Sequence, residues 1–482
     1  IGASIKDNRF DELSVYGPIA GAPNIFNVVN LDKSQKKTPK TGWHEQTQSF
    51  FYSLELGWKS QLFVTTTGRN DWASQLANSP QKSFFYPSVG VSWLPSSTFN
   101  FPEKFNYLKI RASWASVANP FPRELTIATH PYDDTISGWD DKSNYPIGQL
   151  YPERTKTWEL GFDARFLNGF TLTASWYRAD TYNQTFNPNL SASSGYSDIY
   201  IQTGHVRNTG VEASLGYDHQ WKNWNWNSQF TFSWNKNKII ELCKEWYNPI
   251  TEETISMNRL QISKLGRAKF ILKEGGSMGD LYSTTDLRRD DKGNIEIDEG
   301  GNVVVEDNLP DMKLGSVFPD YNLAWRNSVS WKNLNLGFLV TARIGGIVNS
   351  LTQANMDLFG VSEATAAARD AGGALVNGRS LVNPETWYTA IASQGGIPQY
   401  YTYSATNVRL QELSLGYTIP RKWLHNVCSI TVSFVGRNLW MMYCKAPFDP
   451  EAVASTNNFY QGMDYFMMPS TRNLGFNINI KF

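Results

Sequence analysis

The feature that most restricts this chain is a period of two. Trp158, Leu160, Phe162, Ala164 and Phe166 alternate with Glu159, Gly161, Asp163 and Arg165. After the turn triplet Leu167-Asn168-Gly169, the residues Phe170, Leu172, Ala174 and Trp176 alternate with Thr171, Thr173 and Ser175. The same pattern returns at Val211 to Asp218, at Trp226 to Trp234 and at Phe476 to Phe482. Side chains two apart in a strand share a face, so each segment has one apolar and one polar face. A soluble sandwich buries such a face in a core. A membrane barrel presents it to lipid.

Length and aromatic placement separate the two. These segments run about ten residues or more, enough to cross a bilayer at a tilt, whereas ordinary strands average about five or six. Tryptophans gather at segment ends, at Trp58, Trp93, Trp114, Trp158, Trp176, Trp226, Trp331 and Trp440. Amphipathic rings favour the membrane interface, so these ends read as two aromatic girdles. The other face carries Glu55, Lys109, Arg111, Glu159, Asp163, Arg165, Glu212 and Arg343. Those charges are costly in a dry interior and suit a wet or polar-filled lumen. An open sheet edge in lipid leaves backbone groups unpaired, so the strands must close.

Composition agrees. The 482 residues carry a formal net charge of +0, and phosphate binding needs a basic face, so no nucleic-acid partner is expected. Mean hydropathy is -0.41, and no window reaches the roughly 18 apolar residues of a membrane helix. Cys243, Cys428 and Cys444 lie far apart without metal spacing. Ile1-Gly-Ala-Ser-Ile5 already reads as a strand, and no signal peptide precedes it. The chain is therefore expected to begin inside a longer polypeptide.

Connections alternate short and long. Short ones fall at Gly57-Trp58-Lys59, Leu167-Asn168-Gly169, Lys222-Asn223 and Lys332-Asn333; long ones fall near 70–82, 118–154, 181–204, 239–318, 345–403 and 441–469. Outer-membrane barrels have short periplasmic turns and long extracellular loops, which orients the chain. The predicted strands are 1–5, 43–57, 60–69, 83–94, 106–117, 155–166, 170–180, 205–219, 226–238, 319–331, 334–345, 404–418, 428–440 and 470–482. The fold class is all-β, a transmembrane antiparallel barrel with about fourteen strands in this chain. Between Leu410 and Leu413 the apolar face changes parity, which predicts a β-bulge at Gln411-Glu412.

Several phrases resemble the SusC/RagA family of TonB-dependent outer-membrane transporters. They are Val408-Arg-Leu-Gln-Glu-Leu-Ser-Leu-Gly-Tyr-Thr-Ile-Pro420, Gly436-Arg-Asn-Leu-Trp440 and Asp449-Pro-Glu451, with Phe85-Tyr-Pro-Ser-Val-Gly-Val-Ser-Trp93, Leu108-Lys-Ile-Arg-Ala-Ser-Trp114, Pro152-Glu153, Trp158-Glu-Leu-Gly161 and Arg207-Asn-Thr-Gly-Val-Glu212. They stand in the family's order along nearly the whole chain. The resemblance implies a barrel of about 22 strands, of which residues 1–482 are the C-terminal part. The plug, the TonB box and the first strands would lie upstream. It implies import of a large nutrient, an oligosaccharide or glycan first and a peptide second. It also implies a SusD-like surface lipoprotein as lid and the TonB complex as energy source, with lipid and lipopolysaccharide around the wall. Phe476, Ile478, Ile480 and the terminal Phe482 resemble the signal read by the barrel assembly machinery.

No catalytic constellation stands out, so the chain is not expected to be an enzyme or to hold a cofactor. His44, His130, His205, His219 and His425 are scattered. Ser191 to Tyr196 lacks a nucleophile elbow. Asp290 to Asn302 lacks the order of a calcium loop and reads as two hairpin turns flanking Ile295 to Ile297. Ser362 to Asp370 is helix-prone and falls in a long loop. Tyr132, Trp139, Tyr145, Tyr151, Tyr196 and Tyr200, with Tyr182 nearby, are the candidate substrate contacts, since flat rings beside Asp133, Asp134, Asp140 and Asp141 suit sugars. Packing of the loops is the plainer reading of each ring. The alternatives are a complete fourteen-stranded passive channel of the FadL kind and a soluble β-sandwich that binds or cleaves glycans.

Overall fold

Fourteen long strands pair in chain order into one antiparallel sheet. The computed structural model describes residues 1–123, 125, 132–133, 138–139, 150–186, 200–202, 204–248, 252–455 and 460–482. The wall strands are β1 Gly2–Leu13, β2 Lys40–Trp58, β3 Leu62–Ala73, β4 Phe84–Trp93, β5 Phe105–Asn119, β6 Glu153–Phe166 and β7 Phe170–Tyr182. They continue as β8 His205–Trp221, β9 Trp224–Glu241, β10 Tyr321–Trp331, β11 Leu334–Ile344, β12 Asn407–Ile419, β13 Ser429–Cys444 and β14 Asn473–Lys481. The first strand runs well past the predicted 1–5. Its later residues, Lys6 to Leu13, are mostly polar on both faces, so the alternation that marks a wall strand fades there.

The apolar row points outward and stays exposed. Leu160 is 53% exposed, and Leu56, Phe230, Leu336 and Leu415 are exposed likewise. A sandwich would have interlocked these side chains, so that alternative is overturned. Among the described residues the sheet is also open, because β1 and β14 are each paired along one edge only. The fourteen strands therefore do not close on themselves.

At the short-turn end, outward rings form a ribbon. Phe105 meets Phe166 at 6.2 Å, Phe166 meets Phe170 at 5.7 Å, and Phe170 meets Tyr217 at 4.6 Å. Trp224 stacks on Trp331 at 5.7 Å. Such pairs contribute about 0.5–1.5 kcal/mol each beyond burial. The turn at Leu167-Asn168 is tight because both residues are left-handed, with φ of 50 and 47. That handedness matches the twist of the two strands it joins. The predicted bulge is present. Leu339 pairs with Glu412 and Val340 with Leu410, so Gln411 is the extra residue.

The buried core lies in the long connections. One cluster holds Leu242, Leu260 and Leu272 against Val206 and Ile239. A second holds Phe270, Leu281, Val317, Leu351 and Met463. Residues predicted only as loop, 239–318, contain a four-stranded sheet of Arg259–Leu265, Ala268–Lys273, Asp280–Ser283 and Met312–Ser316. The connection after β11 carries α1 Leu351–Leu358, α2 Glu363–Asp370, α3 Pro384–Ala392 and the single turn α4 Pro398–Tyr401. The helix-prone stretch is thus α2, and its cap is Ser362, which accepts from the Thr365 N–H at 3.2 Å.

Candidate functional site: the lumen wall and the outer loops

Inward positions are polar by the same alternation that makes the outward ones apolar. Arg111 on β5 donates to Asp163 on β6 at 2.7 Å and lies 3.8 Å from Glu159. Gln229 donates to Ser214 at 3.0 Å. Glu412, turned inward by the bulge, accepts from Arg437 at 3.2 Å. An open cavity of about 690 Å³ runs along this wall, lined by Arg111, Thr173, Ser175, Glu212, Asn322, Thr341, Arg343, Gln411 and Glu451. Arg343 donates to the Val317 carbonyl at 2.8 Å, while its Nε has no partner among the described residues. The arrangement offers donors and acceptors of both signs along a wet surface.

Over the rim, the loops are held by ion pairs. Asp311 accepts from Arg259 at 2.6 Å and lies 2.9 Å from Lys273. The Arg259 bond, with Lys273 adding, holds the Asp311 carboxyl well below the usual range. Asp280 is fully enclosed and pairs with Lys313 at 2.6 Å. Burial pushes the Tyr282 phenol up to about 12, with the Asp280 and Asp311 charges adding. In the helical loop, the buried Tyr401 hydroxyl donates to Asp357 at 3.0 Å. Burial and the Asp357 charge push the neighbouring Tyr403 phenol up to about 12.

Among the described residues, the candidate substrate contacts sit in different surroundings. The backbones of Tyr132 and Trp139 are register partners in a two-residue antiparallel pairing. Tyr151 is exposed, and its backbone N–H and carbonyl are both engaged by the Gln202 amide. Tyr200 packs on the cluster of Leu76, Phe84 and Leu150. Tyr182 stacks on His205 at 4.5 Å. Tyr145 and Tyr196 lie outside the described residues. Asp290 and Asp298 each accept from an Asn four residues on, at 2.8 Å from its N–H, so the acidic segment is two turns as its sequence indicates. Sequence reasoning missed Gln411 and Glu451 as cavity residues, although the bulge and the Asp-Pro-Glu phrase marked their neighbourhoods.

The family model described as TonB dependent receptor-like, beta-barrel matches residues 3–439. TonB-dependent receptor P3 of Formosa agariphila is 26% identical, covering 97% of this chain and 49% of its own. TonB-dependent receptor SusC of Bacteroides thetaiotaomicron is 22% identical, covering 78% of this chain and 38% of its own. The solved RagAB peptide transporter superposes with a TM-score of 0.73 at 20% identity, over 96% of this chain and 50% of that one. The RagAB peptide importer in its open-open state gives 0.76 at 17% identity, over 100% and 52%. The chain spans about half the length of the first of these curated relatives.

Proposed function

Since the chain belongs to the TonB dependent receptor-like β-barrel family, whose members lie in the outer membrane, we propose that it forms part of the wall of a SusC/RagA-type importer. Residues 1–482 are then the C-terminal part of a larger barrel. Two observations support this: β1 and β14 each keep an unpaired edge, which lipid forbids, and the relatives are about twice as long. The remaining strands, the plug and the segment that engages TonB belong to the rest of the protein.

The nutrient is too large for passive pores, an oligosaccharide by preference. The loop rings Tyr132, Trp139, Tyr145, Tyr151 and Tyr196 are its first contacts, Tyr200 serves to pack its loop, and a SusD-like lipoprotein covers them. The observation that carries the reading is the division of the sheet into an exposed apolar outer face and a charged inner one lining an open cavity. A peptide cargo is the second reading, because the superposed RagAB structures are described as a peptide transporter and importer.

Uptake of fluorescent oligosaccharides and peptides into cells with and without the gene tests both. Oligosaccharide uptake that needs the gene and stops when a protonophore collapses the proton gradient is expected. Uptake indifferent to the protonophore would point instead to a passive channel.

A further inference from the structure

On β2 the outward residues run Trp58, Leu56, Leu54, Tyr52 and Phe50, and then turn polar at Gln48, Gln46 and His44. A strand tilted by about 40° climbs roughly 2.5 Å per residue, so the step from Trp58 to Gln48 climbs about 25 Å, the height of a barrel's apolar band. Gln48 thus stands where hydrocarbon ends on the long-loop side. Above it the strands continue beside lipid headgroups.

At that level the outward side chains form a hydrogen-bonded ladder across two strands. Gln48 donates to Gln46 at 3.0 Å, Gln46 donates to Asp7 on β1 at 3.0 Å, and His44 Nε2 lies 3.0 Å from both Asp7 oxygens. Trp72 on β3 is the register partner of Gln48, and the residue is 48% exposed. A shallow concavity of about 440 Å³ opens here, lined by Gln46, Gln48, Trp72, Ala73 and Ser74.

We infer that this concavity binds the sugar headgroup of an outer-leaflet glycolipid. A ring beside two fixed amides suits a pyranose, whose C–H face packs on the ring while its hydroxyls pair with the amides. Phosphate is a poor match, because the nearby Arg9 guanidinium is held by Asp11 at 2.8 Å. Nutrient in transit is a poor match too, because these side chains point away from the lumen. The inference rests on the lipid-facing assignment of β1 to β3 and not on the import reading.

The test uses protein extracted in mild detergent from its own outer membrane, with co-purified glycolipid and phosphatidylethanolamine both measured by mass spectrometry. Trp72→Ala is expected to lower retained glycolipid by roughly fivefold, with phosphatidylethanolamine unchanged. Gln48→Ala, at an exposed position, carries the same expectation should Trp72→Ala fail to assemble. Unchanged glycolipid in both variants sinks the proposal. So does a parallel loss of both lipids, which makes Trp72 a general interface anchor. Readding lipid A and, separately, the free glucosamine disaccharide to delipidated protein distinguishes the sources: equal binding of the free sugar overturns the headgroup assignment.

Discussion

Arg409 grips Asp449 with two parallel hydrogen bonds, Nη2 to Oδ1 at 2.8 Å and Nη1 to Oδ2 at 3.2 Å, where the two side chains are only 5% and 9% exposed. Arg409 also lies 3.3 Å from Glu451, so the Asp-Pro-Glu segment is tied to the start of β12. Removing one partner of a buried pair strands the other charge, at about 3–5 kcal/mol. Arg409→Ala should therefore lower the unfolding temperature in detergent and open residues 445–455 to protease. Joint replacement by Arg409→Met and Asp449→Leu should recover much of the loss. A single variant as stable as the parent would show that the clamp contributes nothing.

The loop anchors should weaken in acid. Burial raises the Asp449 carboxyl, but the Arg409 bonds outweigh it, and the net direction is down. Asp311 is lowered further, chiefly by Arg259. A depressed carboxyl contributes stability above its unfolded value of about 3.9, and the contribution fades as pH falls from there toward the folded value. Hydrogen exchange at pH 3 should be faster than at pH 6 in residues 259–316 and 445–455, after correction for intrinsic rates. Protection of the wall strands should hold. Equal loss in wall and loops would contradict this.

Leu160 and Glu159 are neighbours on opposite faces of β6. Leu160→Arg places a charge in mid-membrane and should cost about 2–4 kcal/mol, reducing the assembled barrel. Glu159→Gln, beside Arg111 in the lumen, should assemble normally. Folding can be read from the heat-dependent shift in gel mobility. Similar damage from both would reverse the assignment of faces.

Phe482 is 90% exposed just beyond β14, in line with Phe476, Ile478 and Ile480. If these residues address the chain to the assembly machinery, Phe482→Ala should lower the amount in the outer membrane severalfold. Lys481→Ala should leave it unchanged. Equal amounts for Phe482→Ala and the parent protein would remove the role.

Much of the wall was legible because its cause is local. Each strand is specified by which medium its alternate side chains meet, and that is written residue by residue. The bulge at Gln411-Glu412, the tight turn at Leu167-Asn168-Gly169 and the helix within Ser362 to Asp370 could be read for the same reason, since each involves residues a few positions apart. The substrate contacts were less legible, because rings that pack loops and rings that meet a ligand have the same composition. Tyr200 proved to be packed against the cluster that holds Leu76, Phe84 and Leu150, and Tyr151 proved to be exposed with its backbone tied to Gln202.

Sequence alone determined that this is a membrane wall with one greasy and one wet face, because lipid imposes its demand on every second residue. Tertiary structure alone decided how the outer loops pack. Asp280–Ser283 pairs with Met312–Ser316 across an intervening excursion, and Arg409 finds Asp449 on another strand's loop. Such partners are chosen by what the folded sheet brings together, and no local periodicity encodes that choice.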